Sequence, residues 1–152
     1  MQWKKVECPM SKTKVLFLCK GNSARSQMAE AFLRKYGGDQ YDAYSAGTEP
    51  RGINVYTERV MEEAGVRLSG QHSKHVKEYL GKIHFAYVIT LCDEAEKSCP
   101  AIFPGMGQRL HWSFEDPAAI VALDDEKLAK FREVRDRIER RIKEWLLEPR
   151  GE

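Results

Sequence analysis

Short apolar runs alternate along the chain with segments whose apolar residues recur at helical spacing. Residues 14–19 form a nearly unbroken apolar run, which is typical of a strand covered on both faces. A polar turn follows, and then Met28, Phe32 and Tyr36 recur every four residues until Gly37. This order predicts a first, central strand, a tight turn and a helix.

The remaining segments continue the alternation. Residues 41–46 and 84–91 predict two further strands, residues 54–64 predict a second helix, and residues 109–114 predict a last short strand. A closing helix carries one apolar stripe that we interpret as core: Leu128, Phe131, Val134, Ile138, Ile142, Trp145 and Leu146. The alternation predicts an α/β fold, with an open, mostly parallel sheet of about four strands and helices on both faces.

Length and composition indicate an ordinary globular protein. The chain has 152 residues, a length that predicts a single domain. Its longest apolar runs fall far short of the roughly 20 residues that span a bilayer. The N-terminus has no apolar segment followed by a small-residue cleavage site. We therefore expect a cytoplasmic protein without a membrane partner.

Positive and negative charges are nearly balanced. Lys and Arg number 25 and Asp and Glu number 23, so the net charge is only +2. This balance supplies no long-range field that would hold a polyanion, and we expect no nucleic-acid partner. The densest basic stretch, residues 130–143, carries acids at i,i+4 spacing, such as Glu133 with Arg137, which is typical of a solvated helix face.

The cysteines are the first candidates for chemistry. The chain contains Cys8, Cys19, Cys92 and Cys99. In a protein of this size and expected compartment, cysteines are more often catalytic or metal-binding than structural disulfides. No Cys-x-x-Cys pair occurs and the four histidines lack ligand spacing, so we predict neither a metal site nor a cofactor.

Three chemically interesting residues follow predicted strands. Cys19 ends the first strand, Cys92 comes directly after residues 84–91, and Asp116 follows the last strand. In an open parallel sheet, ligands bind beyond the carboxyl ends of the strands. We therefore expect these residues to share one site.

The loop after the first strand predicts an anion site. Backbone N–H groups at a helix N-terminus have no partner within the helix, and Gly21 and Asn22 tolerate the positive φ of a tight cradle. Arg25 supplies a planar pair of donors for two oxygens of a tetrahedral oxyanion. The helix end and Arg25 stabilise a thiolate, so Cys19 is the predicted nucleophile. The predicted substrate-binding residues are Lys20, Gly21, Asn22, Ser23, Ala24 and Ser26.

This loop resembles the signature loop of the low-molecular-weight protein tyrosine phosphatase superfamily, because positions 19, 21–23, 25 and 26 match it. Residues 27–30, Gln-Met-Ala-Glu, resemble the thioredoxin-coupled arsenate reductases of that superfamily. Residues 44–50, 88–92 and 111–117 extend the resemblance. It implies a single phosphatase-like domain over residues 14–152. Residues 1–13 are then an N-terminal extension, with Cys8 as a peripheral thiol.

The resemblance also implies a mechanism. Asp116 is the expected general acid, and Cys92 and Cys99 are seven positions apart, as the relay cysteines are in those reductases. The enzyme would bind arsenate or phosphate in the loop and reduce arsenate to arsenite. Oxidation would pass from Cys19 to Cys92 and then to Cys99, and thioredoxin would regenerate the thiols.

A disulfide between Cys92 and Cys99 requires a change of shape if the intervening residues are helical. Seven helical residues separate two Cα atoms by about 10 Å, whereas a disulfide tolerates at most about 7 Å. Residues 93–98 are too short to be firmly helical alone, so we expect a soft segment that unwinds or loops out on oxidation if it is helical in the reduced enzyme.

Two positions depart from the family pattern. Ala24 stands where many relatives have Cys, which leaves the implied chemistry untouched. Some relatives bind potassium beside the loop through Asn, Glu, Ser and Asp side chains. Asn22, Glu30 and Ser45 match that set, but Lys74 stands in place of the Asp. The ammonium group of Lys74 would occupy the negative electrostatic field in which a metal cation would otherwise bind.

Two other functions stay open. A phosphotyrosine or small-molecule phosphatase would use the same Cys19, Arg25 and Asp116 and would need no further thiol. Against this function, Ala118 stands where the tyrosine phosphatases of the family usually carry a tyrosine. A non-catalytic anion-binding module would need neither the cysteine nor the aspartate, and both are present.

Overall fold

A computed structural model of the chain describes residues 12–93, 95 and 107–149. Its strands are β1 (Thr13–Cys19), β2 (Tyr41–Gly47), β3 (Tyr87–Thr90) and β4 (Gln108–His111). Its helices are α1 (Arg25–Gly37), α2 (Val55–Glu63) and α3 (Asp124–Leu147), and short 3₁₀ turns span Val76–Glu78 and Pro117–Ala119.

The four strands form one parallel sheet in the order β2-β1-β3-β4. This arrangement confirms the predicted α/β class, the strand number and the central position of β1. The two faces of the sheet are covered by different elements. Tyr41 of β2 packs against Trp145 of α3, whereas Tyr44, on the opposite face, contacts Tyr79 after the first 3₁₀ turn.

Two strands are shorter than their sequences predict. Residues 84–91 predict a strand, but β3 covers only Tyr87–Thr90. Residues 109–114 predict another, but β4 ends at His111 because the chain then turns away to form the wall of a pocket. Of the predicted soft segment at residues 93–98, the structure describes only positions 93 and 95, so that expectation stays a prediction.

The apolar stripe of α3 forms core, as predicted. Its six buried residues are Leu128, Phe131, Val134, Ile138, Ile142 and Trp145. They belong to the same core cluster as β1, whose residues from Val15 to Leu18 are fully buried. Burial of a large apolar side chain contributes about 1.5–3 kcal/mol, so these six residues contribute substantially to the stability of the domain. None of the described helices is both long enough and apolar enough to cross a membrane.

Candidate active site

One pocket of about 400 Å³ opens at the carboxyl edge of the sheet. Cys19 at the end of β1, Cys92 after β3 and Asp116 after β4 all line it. The parallel topology brings these positions together from three separate parts of the chain, as the sequence predicts. The loop residues Lys20, Gly21, Ser23, Ala24 and Arg25 form its floor and side.

The carbonyl groups of the loop are held away from the pocket. The oxygen of Lys20 accepts a hydrogen bond from the Glu49 N–H (2.8 Å), and that of Gly21 accepts one from the Arg51 N–H (3.0 Å). The Ser23 oxygen accepts one from the Asn54 N–H (3.1 Å). In a trans peptide the C=O and the following N–H point in opposite directions. The N–H groups that follow these carbonyls therefore face away from residues 49–54, as an anion cradle requires.

Close backbone contact shapes the same loop. Asn22 adopts a positive φ of 47°, the left-handed conformation that the sequence predicts for position 21 or 22. Gly47, at the end of β2, lies so near the loop that an added Cβ would come within 2.6 Å of the Lys20 carbonyl oxygen. Only glycine fits there, because any side chain would push the loop away from the sheet.

A buried chain of hydrogen bonds leads to the Cys19 thiol. The Asn22 side-chain Nδ2 donates to the Oγ atoms of Ser26 (2.7 Å) and Ser45 (3.0 Å). Ser45 in turn donates to a carboxylate oxygen of Glu30 (2.6 Å). The Ser26 Oγ lies 2.9 Å from the Cys19 Sγ.

The direction of these bonds follows from the donors and acceptors. The Asn22 Oδ1 accepts from the Lys74 backbone N–H (2.9 Å), which fixes Nδ2 as the donor towards both serines. Ser26 accepts from Asn22, so its single hydroxyl hydrogen is free to donate to the Cys19 Sγ when that sulfur is a thiolate. A hydroxyl that donates to sulfur stabilises a thiolate over a thiol.

Asn22 and Ser26 therefore lie behind the pocket rather than in its lining. Both are fully buried, and their side chains support the thiol instead of reaching a ligand. Lys20, Gly21, Ser23 and Ala24, the other predicted substrate-binding residues, do line the pocket.

Arg25 and Asp116 face each other across the pocket. The Arg25 Nη1 donates to the Phe114 carbonyl oxygen (3.0 Å), and its Nη2 lies 3.8 Å from the Asp116 Oδ2. The other carboxylate oxygen of Asp116 accepts from the Ala118 N–H (3.0 Å) and caps the second 3₁₀ turn. One oxygen of Asp116 is thus held by the turn and the other faces the arginine, which fixes the orientation of the carboxylate.

Cys92 is a second buried sulfur in the same pocket. It is 2% exposed, and its Sγ accepts a weak hydrogen bond from the Ala95 N–H (3.4 Å). Burial raises the pKa of the Cys92 thiol, and nearby Arg25 offsets this only in part. Cys92 is therefore held as a neutral thiol near Cys19. The predicted third relay residue, Cys99, and also Cys8 lie outside the described residues.

Sequence reasoning missed one cation in the pocket, Arg51. Its side chain covers Gly21, where an added Cβ would meet the Arg51 Cδ at 3.3 Å. Lys20 lies 3.9 Å from a Glu49 oxygen, whereas Arg51 pairs with no carboxylate among the residues that the structure describes. Its position just beyond β2, at the same edge as the other strand ends, is the signal that could have identified it.

Comparison with known proteins identifies the family. The family described as low molecular weight phosphotyrosine protein phosphatase matches residues 14–150. An arsenate reductase of Halalkalibacterium halodurans is 47% identical over 135 residues, which cover 88% of this chain and 95% of that protein.

Solved structures agree with this assignment. An arsenate reductase in the phosphate-binding state shares 31% identity at a TM-score of 0.73, over 88% of this chain and 96% of that one. A thioredoxin-dependent arsenate reductase of Corynebacterium glutamicum shares 30% identity at a TM-score of 0.66, over 93% of this chain and 63% of that one. The chain therefore belongs to the low molecular weight phosphotyrosine protein phosphatase family, as an enzyme of its arsenate reductase branch.

Proposed function

We propose that this enzyme reduces arsenate to arsenite with Cys19 as the nucleophile and Cys92 as the second thiol. The observation that carries the proposal is that two buried sulfurs line one anion pocket. Hydrolysis of a phosphate ester needs only the first of them. Reduction of arsenate needs two electrons, which two thiols supply when they form a disulfide.

The first step is substitution at arsenic. The loop N–H groups and Arg25 hold the arsenate oxygens, and the Cys19 thiolate attacks the arsenic atom. An S–As bond forms and one As–O bond breaks. The leaving group is a hydroxyl on arsenic, which takes a proton from the carboxyl group of Asp116 and departs as water. Arsenic remains As(V) in this adduct.

The second step is the reduction. The Cys92 thiol loses its proton, and the thiolate attacks the Cys19 Sγ. An S–S bond forms, the S–As bond breaks, and its electron pair stays on arsenic. Arsenic thereby becomes As(III) and leaves as arsenite, while the two sulfurs together lose two electrons.

The third step restores the nucleophile. The Cys99 thiolate attacks the Cys92 Sγ, which frees Cys19 as a thiolate and leaves a Cys92–Cys99 disulfide. The dithiol of thioredoxin then reduces this disulfide. The seven-residue spacing of the two cysteines and the thioredoxin-dependent relative support this part of the proposal.

A phosphatase is the alternative, because Cys19, Arg25 and Asp116 suit a phosphate ester equally well. The pocket wall after Asp116 consists of Ala118 and Ala119 and has no aromatic ring there, so among the described lining residues only Phe114, before Asp116, could contact the ring of a phosphotyrosine. We expect at most a weak aryl phosphatase activity, since phosphate and arsenate share a tetrahedral shape.

The decisive experiment compares two reactions in the same set of variants. The first is arsenate-dependent oxidation of NADPH through thioredoxin and thioredoxin reductase, and the second is hydrolysis of p-nitrophenyl phosphate. Cys19→Ser should abolish both reactions. Cys92→Ser and Cys99→Ser should each stop arsenate turnover but leave the hydrolysis.

Cys8→Ser is the matched control and should retain both activities. Normal arsenate turnover in both Cys92→Ser and Cys99→Ser would overturn the relay. The enzyme would then be a phosphatase with incidental cysteines, or its reductant would attack the Cys19 adduct directly.

A further inference from the structure

Among the described residues, the proposed mechanism leaves two buried charged groups unused, the ammonium of Lys74 and the carboxylate of Glu30. Lys74 is only 6% exposed, and its Nζ donates to the carbonyl oxygen of His72 at 2.6 Å. Its backbone N–H donates to the Asn22 Oδ1, and its carbonyl accepts from the Gly47 N–H (2.9 Å). Lys74 is therefore attached both to the nucleophile loop and to the end of β2.

The charges around Lys74 include a second buried group. Glu30 is also 6% exposed and forms the far end of the hydrogen-bond chain that leads through Ser45 to Asn22. The charged groups that face Lys74 are Glu30, Glu78 and Arg34. Burial lowers the pKa of Lys74, whereas Glu30 and Glu78 act to raise it. Arg34 pairs with the outer oxygen of Glu30 from the half-exposed side.

The residues at this place do not fit a potassium ion. A bound cation needs several free oxygen ligands and a surplus of negative charge. Here the Asn22 Oδ1 is occupied by the Lys74 N–H, and the Ser45 Oγ is bonded to Glu30. Position 74 contributes a positive charge, where the relatives that bind potassium contribute a carboxylate.

We propose that the ammonium of Lys74 is the resident cation of the nucleophile loop and makes the enzyme independent of potassium. Its charge attracts the Glu30 carboxylate, to which Ser45 donates while the same hydroxyl oxygen accepts from Asn22. Asn22 is thereby held with one amide hydrogen on each serine, and the Ser26 hydroxyl stays directed at Cys19. Lys74 acts through these groups and is a positioning residue.

The inference rests on the proposed role of Cys19 as nucleophile, and its test avoids arsenate so that the two can fail separately. In a Cys8→Ser, Cys92→Ser, Cys99→Ser background, Cys19 is the single thiol, and its alkylation by iodoacetamide is followed against pH. Lys74→Met removes the ammonium, and Lys74→Gln removes the charge but keeps a hydrogen-bond donor. Both should slow alkylation at neutral pH by about threefold or more, which corresponds to about half a pH unit in the midpoint.

Lys77→Gln is the matched control, because Lys77 is exposed on the same segment and should leave the profile unchanged. If Lys74→Gln had the native pH profile of Cys19 alkylation, the proposed role of the charge would be overturned, and only the hydrogen bond of this side chain would matter. Circular dichroism identifies a variant that fails to fold. In that case the thermal unfolding of the native chain in potassium chloride, described next, tests whether Lys74 replaces a potassium ion.

Potassium itself is the second probe. Thermal unfolding of the native chain should have the same midpoint in potassium chloride and in tetramethylammonium chloride of equal ionic strength. Lys74→Asp supplies the missing carboxylate, and its midpoint should rise when potassium replaces tetramethylammonium. A potassium-specific rise in the native chain would overturn the proposal, because it would show that a metal ion binds despite the ammonium.

Discussion

The hydroxyl oxygen of Ser26 lies 2.9 Å from the sulfur of Cys19, and both atoms are buried. The serine stands in the first turn of α1, seven residues after the cysteine that ends β1. Because Asn22 donates to the same hydroxyl oxygen, the serine hydrogen is free to stabilise the thiolate. This contact connects the fold of the loop to the reactivity of Cys19, the proposed nucleophile.

Ser26→Ala removes that donor without adding bulk. A hydrogen bond to a charged group contributes about 1.5–3 kcal/mol, so we expect Cys19 to react roughly ten- to a hundredfold more slowly at neutral pH. Alkylation of the single-thiol background measures the effect directly. Ser69→Ala, at an exposed position, is the control. An unchanged alkylation rate would mean that the hydroxyl hydrogen points elsewhere.

Arg25→Lys tests the planar pair of donors. The guanidinium donates to the Phe114 carbonyl, approaches Asp116 and faces the pocket at the same time. The ammonium group of a lysine has one nitrogen and cannot place donors at all three positions. We expect arsenate kcat/KM to fall by about a hundredfold or more, in the range found when one transition-state donor is lost. Steady-state kinetics measure the loss, and near-native values would exclude bidentate binding.

Arg51→Gln tests the additional cation at the pocket. Arg51 has no carboxylate partner among the described residues, so its charge is available to attract the substrate. We expect arsenate KM to rise about three- to tenfold with little change in kcat, and the effect should shrink at high ionic strength. Arg67→Gln, at an exposed position outside the pocket, should have no effect. A fall in kcat alone would instead indicate a role in the chemical steps.

Arsenite release should depend on pH through Cys92. Burial raises the pKa of this thiol, so the attacking thiolate is a minor species at neutral pH, and its fraction grows as pH rises. In a single turnover, release should accelerate by about tenfold per pH unit until the pKa is reached. Quenched-flow assays of arsenite between about pH 6.5 and 8.5 provide the measurement. A flat profile would mean that another step limits release.

Trp145 should be important for stability rather than activity. Its ring contacts Tyr41 and Tyr87, both at centroid distances of 5.2 Å, and the residue is 2% exposed. Trp145→Ala leaves a large cavity beneath the sheet and should lower the free energy of unfolding by about 3–5 kcal/mol. Urea titration checks this value. Leu147→Ala, which changes a residue that is 85% exposed, should cost less than about 0.5 kcal/mol.

Features of the fold that depend on local patterns were predictable. The fourfold spacing of Met28, Phe32 and Tyr36 and the stripe of α3 have a helical period, and the apolar run of β1 has the length and the following turn of a buried strand. The strand ends were less predictable. β4 stops at His111 because the following residues form the pocket wall, and no local propensity encodes that turn.

The same distinction applies to the candidate site. The sequence by itself determined the order of strand, loop and helix around Cys19, and with it the proposed anion cradle, since consecutive residues and a helix N-terminus suffice for that. It also indicated that Cys92 and Asp116 follow strands of one parallel sheet, whose carboxyl ends must meet at the same edge.

Only the tertiary structure decided what surrounds that loop. Arg51 covers Gly21, and the Lys74 backbone N–H donates to Asn22 of the loop, because segments far apart in sequence pack together there. Asn22 proved to be a buried support for the thiol, which depends on the direction of each hydrogen bond. Such directions follow from burial and from the available partners, and a sequence pattern specifies neither.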